Sequence, residues 1–121
     1  MAQAAMLHAA PALEAPAIDR AHLKQMTFGD RGLERELLQL FDRQAELLLA
    51  RMRASEAAVL ATLAHTLKGS ALSIGATEVA QAAAAAEGAA TGSPAQRAAA
   101  LDGLAAATDA ARVEIAALLR A

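Results

Sequence analysis

From about residue 31 onward, apolar residues recur at steps of three and four, the period of one face of an α-helix. Leu33, Leu37, Leu40, Phe41, Leu48 and Met52 mark such a face over about 31–52, with Glu34, Glu36, Asp42, Arg43, Glu46 and Arg51 mostly elsewhere. Asp30, closing the turn Phe28-Gly29-Asp30, can cap this helix. Ahead of the turn, Asp19 can cap a short helix running to about Met26, with Ile18, Leu23 and Met26 as its apolar contacts. Ser55 is a cap for a third long pattern, from Glu56 to Ile74, in which Leu60, Leu63, Leu67, Ala71 and Ile74 form the stripe to be buried. Gly75 supplies its left-handed stop. Thr77 can cap a mostly alanine helix over about 78–90, ended by Gly88, Gly92 and Ser93.

The sharpest boundary is Ser93-Pro94-Ala95-Gln96, with an N-cap serine, a proline at the first helical position and glutamine at the third. The helix that follows carries Leu101, Leu104, Thr108, Ala111, Ile115 and Leu118 at alternating steps of three and four, spacing suited to shallow-angle packing. Gly103 lies off that stripe. These elements predict an all-α fold, an antiparallel four-helix bundle with a short additional N-terminal helix, over residues 18–121. Residues 1–17, rich in alanine and proline without useful period, are expected to be a flexible leader.

Composition narrows the class. Apolar residues make up 56% of the 121, but much of this is alanine and the only aromatics are Phe28 and Phe41. Such a core suits closely packed helices rather than a sheet, which favours β-branched and aromatic side chains. A net charge of −2 gives no basic footprint for nucleic acid, and without Trp or Tyr there are few platforms for stacked bases. The absence of cysteine removes disulfides, thiolate metal sites and cysteine nucleophiles, and is compatible with a cytoplasmic protein. No signal-peptide pattern opens the chain, and the apolar run Ala82–Ala86 is far short of the ~20 residues that span a bilayer. A soluble protein with no membrane contact is expected.

The chemistry concentrates in the third pattern, His65-Thr66-Leu67-Lys68-Gly69-Ser70, followed by Ile74-Gly75-Ala76. At ~100° per residue, His65 lies roughly 160° from the centre of the apolar stripe and should face outward, unlike a core histidine. Lys68 is three residues on, a neighbour on the helix surface, and could pair with the oxygens of a phosphate carried by the imidazole. Gly69 is one turn from His65. Glycine inside an exposed helix costs roughly 0.5–1 kcal/mol relative to alanine. Clearance for an approaching active site is a reason to keep it there. Ala61, Ala64 and Leu72 would surround the histidine as a small, apolar docking rim.

These residues resemble the signature of histidine-phosphotransfer (HPt) domains of multistep phosphorelays. The resemblance extends to Leu23-x-x-Met26, Gly29-Asp30 and Leu37-Leu38-x-Leu40-Phe41, and covers about residues 18–120. The alanine-rich fourth helix is less typical and lacks a basic residue to assist the phosphate. The resemblance implies a phosphocarrier rather than an enzyme, with His65 as phospho-acceptor, conventionally on Nε2. It implies Lys68 as phosphate support and Gly69 as clearance. The partners would be response-regulator receiver domains, including that of a hybrid histidine kinase. Mg²⁺ would be supplied at the receiver's own site, with no cofactor held stably by this chain. With neither donor nor acceptor attached, a shuttle phosphorylated in trans and acting as a monomer is expected; direct phosphorylation by a kinase domain is the lesser route.

Two other readings can be weighed. An adaptor bundle that binds receivers without being phosphorylated would not need both His65 and Lys68. A metal-binding bundle enzyme fails on ligand count: Asp19-x-x-His22 is at most half of a di-iron motif, His8 lies in the leader, and cysteine is absent. Ser70 and Ser73 lack the histidine–carboxylate setting of a hydrolase.

Overall fold

The computed structural model describes residues 16–121. Among them are five helices and no strand: α1 (Arg20–Met26), α2 (Arg31–Arg53), α3 (Ala57–Ile74), α4 (Thr77–Ala89) and α5 (Pro94–Arg120). Helices α2 to α5 form the bundle, each packed on the next and α5 closing back on α2, while α1 rests against α3. The all-α four-helix bundle with a short N-terminal helix is the architecture found. His8 and most of the expected leader lie outside the described residues. Ala17, counted in that leader, is tied to the bundle, since Glu114 of α5 accepts the backbone N–H groups of Ala17 (2.8 Å) and Ile18 (3.2 Å).

Local chemistry accounts for most helix ends. Asp19 and Asp30 cap α1 and α2 by accepting from the backbone N–H of His22 and Leu33. The capping box forms in full, with Ser93 Oγ accepting from Gln96 N–H at 3.1 Å and Gln96 Oε1 accepting from Ser93 N–H at 2.8 Å. Gly75 ends α3 at φ +79°, a conformation open to glycine at little cost. Its backbone also meets α1: the Asp19 N–H donates to Gly75 O, and a Cβ at residue 75 would lie 2.8 Å from Asp19 O.

Four expected caps, stops and contacts differ. Ser55 does not cap α3; its hydroxyl donates back to Arg51 O at 2.6 Å, finishing α2, and Glu56 takes the N-cap position without a side-chain bond. Thr77 is the first residue of α4 rather than its cap, and Gly88 lies inside α4 rather than ending it. Met26 is exposed, and Thr27 takes the buried place beneath α1, its hydroxyl donating to Leu23 O.

The core is aliphatic and alanine-rich. On α3 the buried side chains are Leu60, Leu63, Ala64, Leu67, Ala71 and Ile74. On α5 Leu101, Leu104, Thr108, Ala111 and Ile115 are buried, while Leu118 is half-buried. Helix α2 is rotated from its expected phase. It buries Leu38, Phe41, Ala45, Leu48 and Met52, leaving Leu33, Leu40 and Leu47 exposed. With leucine on nearly every side of α2, periodicity alone supports either stripe, and packing selects the one completed by small Ala45. Helix α3 has the length and mean hydropathy (1.2) of a membrane-crossing segment, but its apolar stripe is consumed by the bundle core.

Polar links hold α2 to α5. Arg112 donates to Asp42 at 2.7 Å and lies 3.6 Å from Glu46. Its guanidinium is held further toward the charged form, chiefly by the hydrogen bond to Asp42, against the opposing effect of burial and with help from the charges of Asp42, Glu46 and Asp109. In the core, the Thr108 hydroxyl is buried without a hydrogen-bond partner.

Candidate functional site

Helix α3 commits one face to the core, which decides what its opposite face can display. His65 stands on that outer face with its side chain 66% exposed, as its angular distance from the stripe requires. Along the same row, exposed Ala58 lies two turns before it, exposed Gly69 one turn after it and Leu72, 54% exposed, two turns after it. A Cβ built on Gly69 meets nothing within 4 Å. The protein's own packing therefore does not require a glycine at this position.

The predicted docking rim is only partly present. Leu72 is exposed, whereas Ala61 is half-buried and lines a shallow hollow of about 250 Å³ together with Thr62, His65, Thr66 and Glu87. Ala64 is fully buried and is not part of the rim. It lies only about 60° from the stripe centre, so it faces the core rather than His65's side of the helix.

The group that sequence reasoning missed is Glu87 of α4. Its Oε2 lies 3.1 Å from His65 Nδ1, and its Oε1 lies 3.8 Å from Lys68 Nζ. The fourth helix lacks a basic residue here, as its sequence indicates, and carries instead an acid that contacts the histidine and the lysine together. Lys68 is where expected, on the α4 side of His65 and half-buried, but it shares its charge with Glu87 rather than standing alone beside the ring. A helical hairpin pairs residues equidistant from its turn, and Ala76 in the α3–α4 turn is eleven residues from both His65 and Glu87. That register, with Glu87 as the one charge after the alanine run, was the available signal.

The arrangement defines the chemistry open to the ring. With the Glu87 carboxylate accepting at Nδ1, that nitrogen carries a proton, and Nε2 is the ring nitrogen that Glu87 does not engage. A carboxylate that fixes the tautomer and balances charge arising on the imidazole is the same device that orients the histidine of a hydrolytic triad. Among the described residues no hydroxyl bonds to the ring: the neighbouring Thr62 and Thr66 hydroxyls donate to Ala58 O and Thr62 O. Among the described residues no three His, Asp or Glu side chains gather as metal ligands. His22 lies on α1 with its Nε2 buried and unpartnered, apart from the α3–α4 cluster.

In comparison with known proteins, a family model described as Hpt domain matches residues 35–121. No curated protein and no solved structure matches the chain.

Proposed function

The chain belongs to the Hpt domain family, whose members carry out histidine phosphotransfer in phosphorelays, and from that premise we propose that His65 accepts a phosphoryl group from the aspartyl phosphate of one receiver domain and passes it to another. The observation that carries this reading is the exposed imidazole whose Nδ1 lies 3.1 Å from Glu87 Oε2, so that Nε2 is the nitrogen Glu87 does not engage.

The step balances simply. The Nε2 lone pair attacks phosphorus, an N–P bond forms, and the bond from phosphorus to the aspartyl oxygen breaks, returning the carboxylate to the receiver. No proton has to leave. The positive charge gained by the ring is shared through the Nδ1–H with Glu87, and the reverse sequence delivers the group to the next aspartate. Phosphoryl transfer depends on in-line positioning and on charge stabilisation of the equatorial oxygens. Lys68 supplies a cation one turn from the acceptor, and Mg²⁺ belongs to the receiver's site.

Hpt domains are phosphocarriers, and this chain contributes a nucleophile, its orienting carboxylate and an open approach. Ala58, Ala61, Gly69 and Leu72 leave a low, weakly polar strip around His65 on which a receiver can settle. The partners proposed are receiver domains, one of them that of a hybrid kinase, with the bundle acting as a cytoplasmic monomer. Residues 18–121 make up the phosphotransfer unit.

The test is direct. Incubation with a ³²P-labelled phosphorylated receiver and Mg²⁺ should transfer acid-labile, base-stable label to the wild-type chain and none to His65→Gln. Equal labelling of that variant removes His65 from the role.

A further inference from the structure

Away from the α3–α4 seam, the end of the bundle holds a cleft of about 550 Å³ between α1, the start of α2 and the last turn of α5. No residue of α3 or α4 lines it. Four cations do: Arg20 and Lys24 from α1, Arg31 and Arg35 from α2. Among the described residues none of the four forms an ion pair, although the chain as a whole is net negative at −2. The one acidic side chain on the lining, Glu34, lies with its Oε2 3.4 Å from the Thr27 hydroxyl, and Ala121 also lines the cleft.

This placement works against the helices that carry it. On each helix the two cations are four residues apart, the spacing at which like charges repel. Arg31 also opens α2, where the helix dipole favours a carboxylate. Arg35 is held in position by donating to Leu119 O at 2.7 Å. Between the cations the floor is aliphatic, from Leu23, Leu38 and Leu118.

We infer that this cleft is a second binding site, for a small organic phosphate with an apolar or aromatic part and at least two anionic oxygens' worth of charge. Guanidinium groups recognise phosphate in bidentate fashion, and the apolar floor takes the rest of the molecule. A concave site of this volume is in the range that encloses a small ligand rather than the flat contact of a protein partner. A nucleoside diphosphate is a representative member of the class. The inference is independent of the phosphotransfer reading.

The test uses the full chain carrying His65→Gln, so that phosphotransfer plays no part, titrated calorimetrically with ADP in Mg²⁺-free buffer. Pyrophosphate and adenosine are titrated separately. One ADP should bind per chain, more tightly than either fragment, shifting the backbone amide resonances of residues 20–24 and 31–35. Adding Arg20→Glu and Arg31→Glu should weaken ADP about tenfold or more with no loss of thermal stability, because both changes relieve like-charge repulsion. Three results overturn the inference: no saturable binding of ADP, unchanged affinity in the charge-reversed variant, or pyrophosphate binding as tightly as ADP. So does a fourth, in which ADP fails to bind but charge reversal abolishes capture of a purified receiver domain, since the cleft is then a protein contact.

Discussion

Replacing Gly69 separates two explanations for a glycine inside α3. If the bundle itself needed the glycine, a side chain there would clash or strain the backbone. Neither applies: a Cβ at residue 69 meets nothing within 4 Å, and the residue is helical without positive φ. Gly69→Ala should therefore recover the helix-propensity difference, about 0.5–1 kcal/mol, with no offsetting clash. At about 2.1 cal/mol/K per residue of unfolding entropy, that raises Tm by about 2–4 °C. Gly75→Ala is the control with the opposite sign. Its φ is +79° and its Cβ would sit 2.8 Å from Asp19 O. The left-handed backbone alone costs about 1–2 kcal/mol, and the clash adds to it. Function should move the other way from stability at residue 69. Gly69→Gln should fold as well as wild type yet accept phosphate from a receiver about tenfold more slowly or worse, because a side chain in the approach path displaces the reacting groups. Thermal melts and a rapid-quench transfer assay read the two effects. A destabilised Gly69→Ala, or a Gly69→Gln that transfers at the wild-type rate, refutes the clearance argument.

Other consequences are as specific. Glu87→Ala should slow transfer while leaving the urea midpoint nearly unchanged, since Glu87's pairs are surface pairs worth little to stability; rates equal to wild type remove its orienting role. Lys68→Ala should slow transfer or shorten the lifetime of phosphorylated His65, followed by loss of label over time, and no change in either discards its role as phosphate support. Thr108→Val should stabilise the bundle by about 1 kcal/mol in urea unfolding, because the buried hydroxyl gives up solvation without gaining a partner; a destabilised variant would show that the hydroxyl is bonded after all. Glu114→Ala should loosen the docking of residues 17–18, seen as faster amide hydrogen exchange at Ala17 and Ile18, whose N–H groups it accepts; unchanged exchange would show that the burial of Ile18 is sufficient.

Particular residues show why much of this was legible in the chain. The Ser93–Gln96 box, the Gly75 stop and the stripe from Leu60 to Ile74 are local or strictly periodic signals, and they form as read. His65 followed from them, because a helix with one face fixed in the core has its other face fixed too. Ala64 was misplaced for want of the same arithmetic. Helix α2 was ambiguous because leucines surround it, so the choice of buried face depends on the shapes of α3 and α5 rather than on α2 itself. Ser55 was claimed by two helices at once, and the carbonyl of Arg51 won its hydroxyl. Glu87 lies 22 residues from His65, and its contact depends on the hairpin register, which becomes visible only when α3 and α4 are paired about Ala76.

The central claim is that Nε2 of His65 takes the phosphate while Glu87 keeps Nδ1. Long-range ¹H–¹⁵N correlation spectra of the ¹⁵N-labelled chain, recorded before and after incubation with a phosphorylated receiver, report on the two ring nitrogens separately. The account predicts a phosphorus-coupled Nε2 and a protonated Nδ1 on His65 alone. Phosphate on Nδ1, on another residue, or on none would contradict it.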